Sequence, residues 1–388
     1  MNPRLAALQP YPFDKLRALL AGITPNPALR PVDMSIGEPR HPTPALVRDA
    51  LAASLEGLSS YPRTAGEPAL REAIAGWISR RYSLPSLDAA TQVLPVNGSR
   101  EALFSFAQAL IDPASGPARV VCPNPLYQIY EGATLLAGAT PVFLNDGMSM
   151  DELDWGGVQL AYTCSPGNPT GRVLGLQEWR RLFELSDRHG FVIASDECYS
   201  EIYPDESKPT LGALDAARQL GRAGFPRLVV FSSLSKRSNA PGLRSGFVAG
   251  DATLLKQFLL YRTYHGSAMS LTVQRASIAA LSDETHVREN RRQYAAKFDA
   301  AMDILKAPLQ PQRPDGAFYL WLKTPDDDTV FARELQREYN VLTLPGSFLA
   351  RDAHGINPGR GHVRVALVAA LEDCVDGLRR MNEFTSRL

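Results

Sequence analysis

A lysine flanked by small hydroxyl residues, Ser233-Leu234-Ser235-Lys236, follows directly on the apolar run Arg227–Phe231. A lysine at a strand's end can sit in a pocket and act as an amine nucleophile. Eight residues on, Arg244 stands in Pro241-Gly242-Leu243-Arg244-Ser245-Gly246. A guanidinium beside glycines suits close, forked contact with a phosphate dianion. An amine that attacks an aldehyde, with hydroxyls and a guanidinium for a phosphate, is the set that pyridoxal 5′-phosphate requires. Alone, Ser-x-Ser-Lys also fits a solvated loop lysine; the spacing to Arg244 is what narrows the reading.

Four further places could add to that chemistry. Asp196, in Ser195-Asp196-Glu197-Cys198-Tyr199, ends the apolar run Phe191–Ser195. Open α/β sheets bind ligands at such strand ends, and an aspartate there can keep a pyridine nitrogen protonated. A helix N-cap or a turn would use the same residue. Asn168, in Ser165-Pro166-Gly167-Asn168-Pro169-Thr170-Gly171, is offered by a rigid turn, whether to a ligand or only to the turn itself. Asn97-Gly98-Ser99-Arg100 opens the helical run Glu101–Leu110, making an anion site at a helix start or a plain Ser N-cap. Arg364 lies in the apolar strand His362–Leu367, where a charge is costly unless a substrate carboxylate or a structural acid pairs with it.

These residues need a scaffold that brings strand ends together. Short apolar runs at Arg119–Cys122, Thr140–Leu144, Val158–Cys164, Phe191–Ser195, Arg227–Phe231 and Ser245–Ala249 lack alternation, as strands covered on both faces do. Helical patterns such as Glu101–Leu110 and Leu176–His189 separate them, which predicts an α/β domain with a mainly parallel sheet. From about Leu271 the pattern changes to a long charged helix, roughly Glu284–Lys306, then Ala317–Leu322, a helix near Thr329–Tyr339, the strand His362–Leu367 and a last helix from Glu372. That reads as a smaller α+β domain. The Pro-rich start reads as an arm folded against it, so the expected divisions are 1–40, 41–275 and 276–388.

With 41 basic and 41 acidic residues in 388, no net field favours nucleic acid or an anionic membrane. Cys122, Cys164, Cys198 and Cys374 form no CxxC pair, and the six histidines are scattered, so no metal site is expected. No apolar run approaches the roughly 20 residues that span a bilayer, and the start lacks a signal-peptide pattern, so the chain is expected to be cytoplasmic. P-loop, GxSxG, HExxH and GxGxxG signatures are absent.

In this order, the motifs resemble those of class I/II aminotransferases of pyridoxal-phosphate fold type I, over nearly the whole length from about Tyr11. The set is Ser35-Ile36-Gly37-Glu38-Pro39, Tyr61 before Gly66 and Leu70-Arg71, Asn97-Gly98-Ser99, Asn168-Pro169-Thr170-Gly171, Asp196 with Tyr199, Ser233-x-Ser235-Lys236 with Arg244, and Arg364. The resemblance implies a seven-stranded sheet in the large domain. It implies that Lys236 is the Schiff-base lysine and proton shuttle, Asp196 the pyridinium partner, and Asn168 with Tyr199 the pair at the phenolic oxygen. Tyr127 would stack on the ring, and Ser99, Arg100, Ser233, Ser235 and Arg244 would form the phosphate cup. Arg364 with Gly37 would hold the substrate α-carboxylate, and Tyr61 would reach the neighbouring site of a homodimer.

A closer likeness is to bacterial N-succinyl-diaminopimelate aminotransferases of lysine biosynthesis. It rests on Met1-Asn2-Pro3-Arg4-Leu5, Tyr11–Leu20, Ser35–Pro44 and Tyr261–Met269, with Ser267 and Ser270 where Cys and Pro are expected. It implies glutamate and 2-oxoglutarate as one substrate pair and a succinylated amino or keto acid as the other. Arg17, Arg40 and Arg262 are candidates for its distal carboxylate. Another aminotransferase or a carbon–sulfur lyase would share the same core motifs. A DNA-binding regulator would carry a DNA-binding domain ahead of this one, and the roughly 35 residues before Ser35 show no basic helix–turn–helix, so a regulator is not expected.

Overall fold

The computed structural model describes residues 1–85 and 87–388. Seven strands form the central sheet: β1 (Val93–Val96), β2 (Arg119–Asn124), β3 (Thr140–Asn145), β4 (Val158–Cys164), β5 (Val192–Asp196), β6 (Leu228–Ser233) and β7 (Gly246–Gly250). Their spatial order is β1-β7-β6-β5-β4-β2-β3. Only β7 runs against the others, pairing antiparallel with both β1 and β6.

Both faces of the sheet are covered, which explains the apolar runs without alternation. In β2, Val121 points into one layer with Trp155, Trp179, Phe183 and Phe191, while Val120 and Cys122 point into the other with Phe106, Tyr130, Tyr162 and Phe231. The helices that cover it include α1 (Pro68–Tyr82), α2 (Ser99–Leu110), α3 (Leu176–His189), α4 (Ala252–His265) and α5 (Leu271–Leu281). α3 keeps its predicted bounds and stops at Gly190, whose φ of 81° suits the left-handed C-terminal position.

A second core forms around β8 (Tyr319–Lys323) and β9 (His362–Ala366), which pair antiparallel. α6 (Thr285–Ile304), α7 (Asp328–Tyr339) and α8 (Leu371–Thr385) pack on them through Phe298, Phe331, Leu335, Leu378 and Met381. Val32 and Met34 belong to the same core, and Val32–Asp33 pairs parallel with Val341–Leu342. The segment that follows, residues 35–44, therefore crosses from the small core toward the strand ends of the large sheet. Among the described residues no helix is long and apolar enough to cross a membrane, and none of the four cysteines is in a disulfide.

Candidate active site

The carboxyl ends of β4, β5 and β6, with the starts of α2 and of the turn after β6, open on one cavity of about 570 Å³. Gly37, Ser99, Arg100, Tyr127, Asn168, Asp196, Tyr199, Ser233, Ser235, Lys236, Arg244 and Arg364 all line it. Tyr61 does not: its side chain is fully exposed, away from the cavity of its own chain.

Lys236 stands in a single turn, Leu234–Arg237, directly after β6, and its Nζ donates to the Gly37 carbonyl at 2.6 Å. Burial pulls its ammonium down to about 8, and the charges of Arg364 and Arg100 add to the drop against Cys198 and Glu38. An amine so lowered is partly free at neutral pH and is a competent nucleophile. Gly37 must come close here, because a side chain would collide with the Tyr319 hydroxyl.

Asp196, 2% exposed, ends β5. Burial raises its carboxyl above the ordinary range, while the Tyr130 hydroxyl (2.8 Å to Oδ2) and the Cys198 amide (3.2 Å to Oδ1) favour the charged form. The turn contact and the cavity position coexist. Tyr130 was not among the sequence candidates; on a helix face, a buried tyrosine looks like packing.

Positive charge gathers on the remaining walls. Arg100 donates to the hydroxyls of Tyr127 (2.6 Å) and Tyr11 (3.2 Å), and Arg244 to the carbonyls of Pro241 (2.8 Å) and Asn97 (3.4 Å). Arg364, 4% exposed, gives Nη1 to Asn168 Oδ1 (2.8 Å) and Nη2 to the Ser35 carbonyl (2.7 Å), and its Nε has no partner. Among the described residues none of these three arginines pairs with a carboxylate, so the structural acid considered for Arg364 is not there. Ser99 is the first residue of α2, capped by Gly98, and makes no capping bond itself, so its hydroxyl is not spent as an N-cap. Gly98, at φ 91°, lets the Arg244 guanidinium lie against its Cα. Ser233 and Ser235 hydroxyls bond each other at 2.8 Å on the cavity wall.

An amine, a strand-end carboxylate, and hydroxyls with unneutralised guanidiniums on one cavity fit pyridoxal 5′-phosphate: amine for the aldehyde, carboxylate for the ring nitrogen, cup for the dianion. The same deduction is reached from relatives. The sequence profile of "Aminotransferase class I and II" matches residues 30–374.

The chain belongs to the class I and II aminotransferases.

As an enzyme of that family it is a transaminase, and its cofactor is pyridoxal 5′-phosphate. A crystal structure of an aminotransferase from Neisseria meningitidis superposes with a TM-score of 0.95 at 52% identity, covering 99% of this chain and 100% of that one. The LL-diaminopimelate aminotransferase of Nitratidesulfovibrio vulgaris is 31% identical over 97% of this chain and 98% of its own length. The 4-dedimethylamino-4-oxo-anhydrotetracycline transaminase OxyQ of Streptomyces rimosus is 34% identical over 88% and 90%. Aminotransferases of this similarity thus carry names with quite different substrates. Within this aminotransferase, Tyr11, Phe13, Ile36, Glu38, Tyr319, Leu344 and Leu349 also line the cavity.

One substrate-region expectation needs correction. Arg262 is fully buried, and both Glu101 carboxylate oxygens accept its Nη1 at 2.9 Å, so it is a structural residue rather than a free cation. Ser267 bonds Arg262 and Asn97, and Ser270 caps α5; the Tyr261–Met269 segment does not line the cavity of its own chain.

Proposed function

We propose that this aminotransferase exchanges the amino group between glutamate and N-succinyl-2-amino-6-oxopimelate, as an N-succinyl-LL-2,6-diaminopimelate:2-oxoglutarate aminotransferase, in a homodimer whose Tyr61 reaches the neighbouring site. The observation that carries it is that Tyr11, Pro12 and Phe13, from a segment bearing the subfamily likeness, line the cavity beside the family-wide Ile36, Gly37 and Glu38. Arg17, exposed and paired with Asp14, and Arg40, 3.5 Å from Asp33, remain as cations for the distal succinyl carboxylate.

When bound, the cofactor supplies an aldehyde carbon that takes amines and a ring that withdraws electrons from the substrate α-carbon. The chain does the rest. Arg364 holds the α-carboxylate through Nε and its free N–H groups, with Asn168 and Ser35 keeping the guanidinium plane fixed. Lys236 Nζ, lowered to about 8, would be the base for the substrate α-proton and would carry that proton to the cofactor's aldehyde carbon. Asp196, itself held by the Tyr130 hydroxyl, would keep the cofactor's ring nitrogen protonated. Asn168 and Tyr199 would hold the cofactor's phenolic oxygen, Tyr127 would stack on its ring, and Ser99, Arg100, Ser233, Ser235 and Arg244, all on the cavity wall, would hold its phosphate.

The test is the visible spectrum of the purified holoenzyme. Glutamate should bleach the lysine-bound cofactor band, and the succinylated keto acid should restore it. LL-diaminopimelate, the substrate in the name of the Nitratidesulfovibrio relative, is the control. Restoration of the band by unsuccinylated keto acids alone would remove the succinyl specificity. Ammonia and pyruvate from cystathionine would move the chain to lyase chemistry, and a Lys236→Ala variant with most of its turnover would sink the assigned amine.

A further inference from the structure

A directed run of hydrogen bonds leads from α6 to the main chain of Lys236. Lys297 Nζ, on a residue 2% exposed, lies 2.6 Å from His41 Nε2. His41 Nδ1 lies 2.8 Å from Asn290 Oδ1, and Asn290 Nδ2 donates to the Lys236 carbonyl at 3.2 Å. The far end fixes every role. A carbonyl only accepts, so Asn290 turns its nitrogen to Lys236 and its oxygen to His41; that oxygen also takes Asn239 Nδ2 at 3.0 Å. His41 must then donate from Nδ1, which leaves Nε2 facing Lys297. Two nitrogens at 2.6 Å need one proton and one lone pair between them, and Lys297, the more basic of the two, supplies the proton to His41 Nε2.

The same stretch of chain reaches Lys236 by two other routes. Gly37 accepts from its Nζ, and Thr43 Oγ1 donates to the Asn239 carbonyl at 2.7 Å. Residues 37–43 therefore hold the amine of Lys236, the residue three positions beyond it, and, through His41 and Asn290, its carbonyl. The titratable and charged groups around the pair are Glu289 and Tyr294 of α6, Cys374 of α8, and Arg40 on its own segment. Tyr294 lies with its ring 4.7 Å from that of His41 and under Lys297 at 4.9 Å. Burial is the largest influence on both members, lowering His41 from its ordinary value and Lys297 to about 8.

We propose that His41 is a positioning residue for Lys236, working through Asn290 in the one form that Lys297 enforces, neutral with its hydrogen on Nδ1. This rests on the reading of Lys236 as the reacting amine. Protonating His41 at acid pH sets two cations against each other at Nε2 and loosens the hold on the lysine's turn.

The experiment uses holoenzyme with His41→Phe, Asn290→Asp and His41→Asn. The phenylalanine keeps the ring beside Tyr294 but removes both bonds; the aspartate can accept but not donate to Lys236; the asparagine keeps the donor toward Asn290. Borohydride reduction followed by peptide mapping should label Lys236 in all of them. In the first two, kcat should fall roughly ten- to a hundredfold, the cost of misplacing a reacting group, with KM little changed. The pH midpoint of the cofactor's absorption should move in both, and His41→Asn should recover most of the rate. In the wild type an acid fall in kcat should begin below pH about 6.5, and His41→Asn should lack it. Wild-type kcat and an unmoved midpoint in folded His41→Phe and Asn290→Asp would overturn the proposal, as would an asparagine variant no better than phenylalanine. If the phenylalanine variant does not fold, Asn290→Asp and His41→Asn decide on the same readouts. A wild-type label elsewhere than Lys236 would instead overturn the site reading itself.

Discussion

Replacing Arg364 separates binding of the α-carboxylate from every other function of the cavity. Its guanidinium already spends two N–H groups on Asn168 Oδ1 and the Ser35 carbonyl, at 2.8 and 2.7 Å, and the unpaired Nε is buried. The Tyr319 ring, 4.4 Å from the guanidinium carbon, softens the charge without neutralising it. A substrate carboxylate can therefore add two charge-assisted bonds, each worth about 1.5–3 kcal/mol. Arg364→Lys keeps the charge but cannot serve Asn168, Ser35 and two carboxylate oxygens at once. Losing one bond should lower kcat/KM roughly 10- to 150-fold, at about 1.4 kcal/mol per factor of ten. Arg364→Met, losing both, should lower it roughly 10²- to 10⁴-fold. Both half-reactions should suffer alike, since glutamate and the keto acid share the α-carboxylate. The assay is single-turnover absorbance with each substrate, with cofactor binding measured separately and expected to be unchanged. A change under threefold with both substrates, or a loss confined to one of them, would refute the assignment.

Two further outcomes follow from the same geometry. Asp196→Ala should still bind the cofactor through Lys236 and the phosphate cup but lose most of its turnover, and normal single-turnover rates would show that the carboxylate does not tune the ring. Glu197 is buried beside Asp196, where burial raises its carboxyl to about 7 against the bonds from Ala213, Ser195 and Tyr82. Its folded pKa lies above the unfolded one, so the folded state holds the extra proton, and this contribution is present below about pH 4.5 and lost as pH rises to about 7. Thermal melts should show that decline flattened in Glu197→Gln; an identical pH dependence would count against it.

How far the sequence foretold this arrangement varied with the kind of signal. Six of the seven central strands were legible to within one or two residues, because a continuous apolar run is the usual composition of a strand buried on both faces, whereas β1, four residues long with Pro95 inside it, was not. Arg364 stood out because a charge in such a run demands a partner. α1 went unread, and the reason is visible in its side chains. Arg81 turns inward to Glu201 at 2.6 Å, so charge falls on the buried side and blurs the helical period. α4 hides Arg262 in the same way. Tyr130 and Tyr319 carry no local signal at all; only the fold brings one to Asp196 and the other to Tyr199.

The cavity's walls also have an order along the chain. Ser99, Arg100, Asp196, Ser233, Ser235, Lys236 and Arg244 all precede the end of β7 at Gly250, whereas Tyr319 and Arg364 come from β8 and β9. During synthesis, the groups proposed to hold the cofactor emerge before the arginine proposed to hold the substrate carboxylate. A ligand that binds the folded but not the unfolded chain stabilises it by mass action. A cofactor held by those groups would by this rule stabilise the central sheet, whereas holding the substrate carboxylate also needs β9 in place.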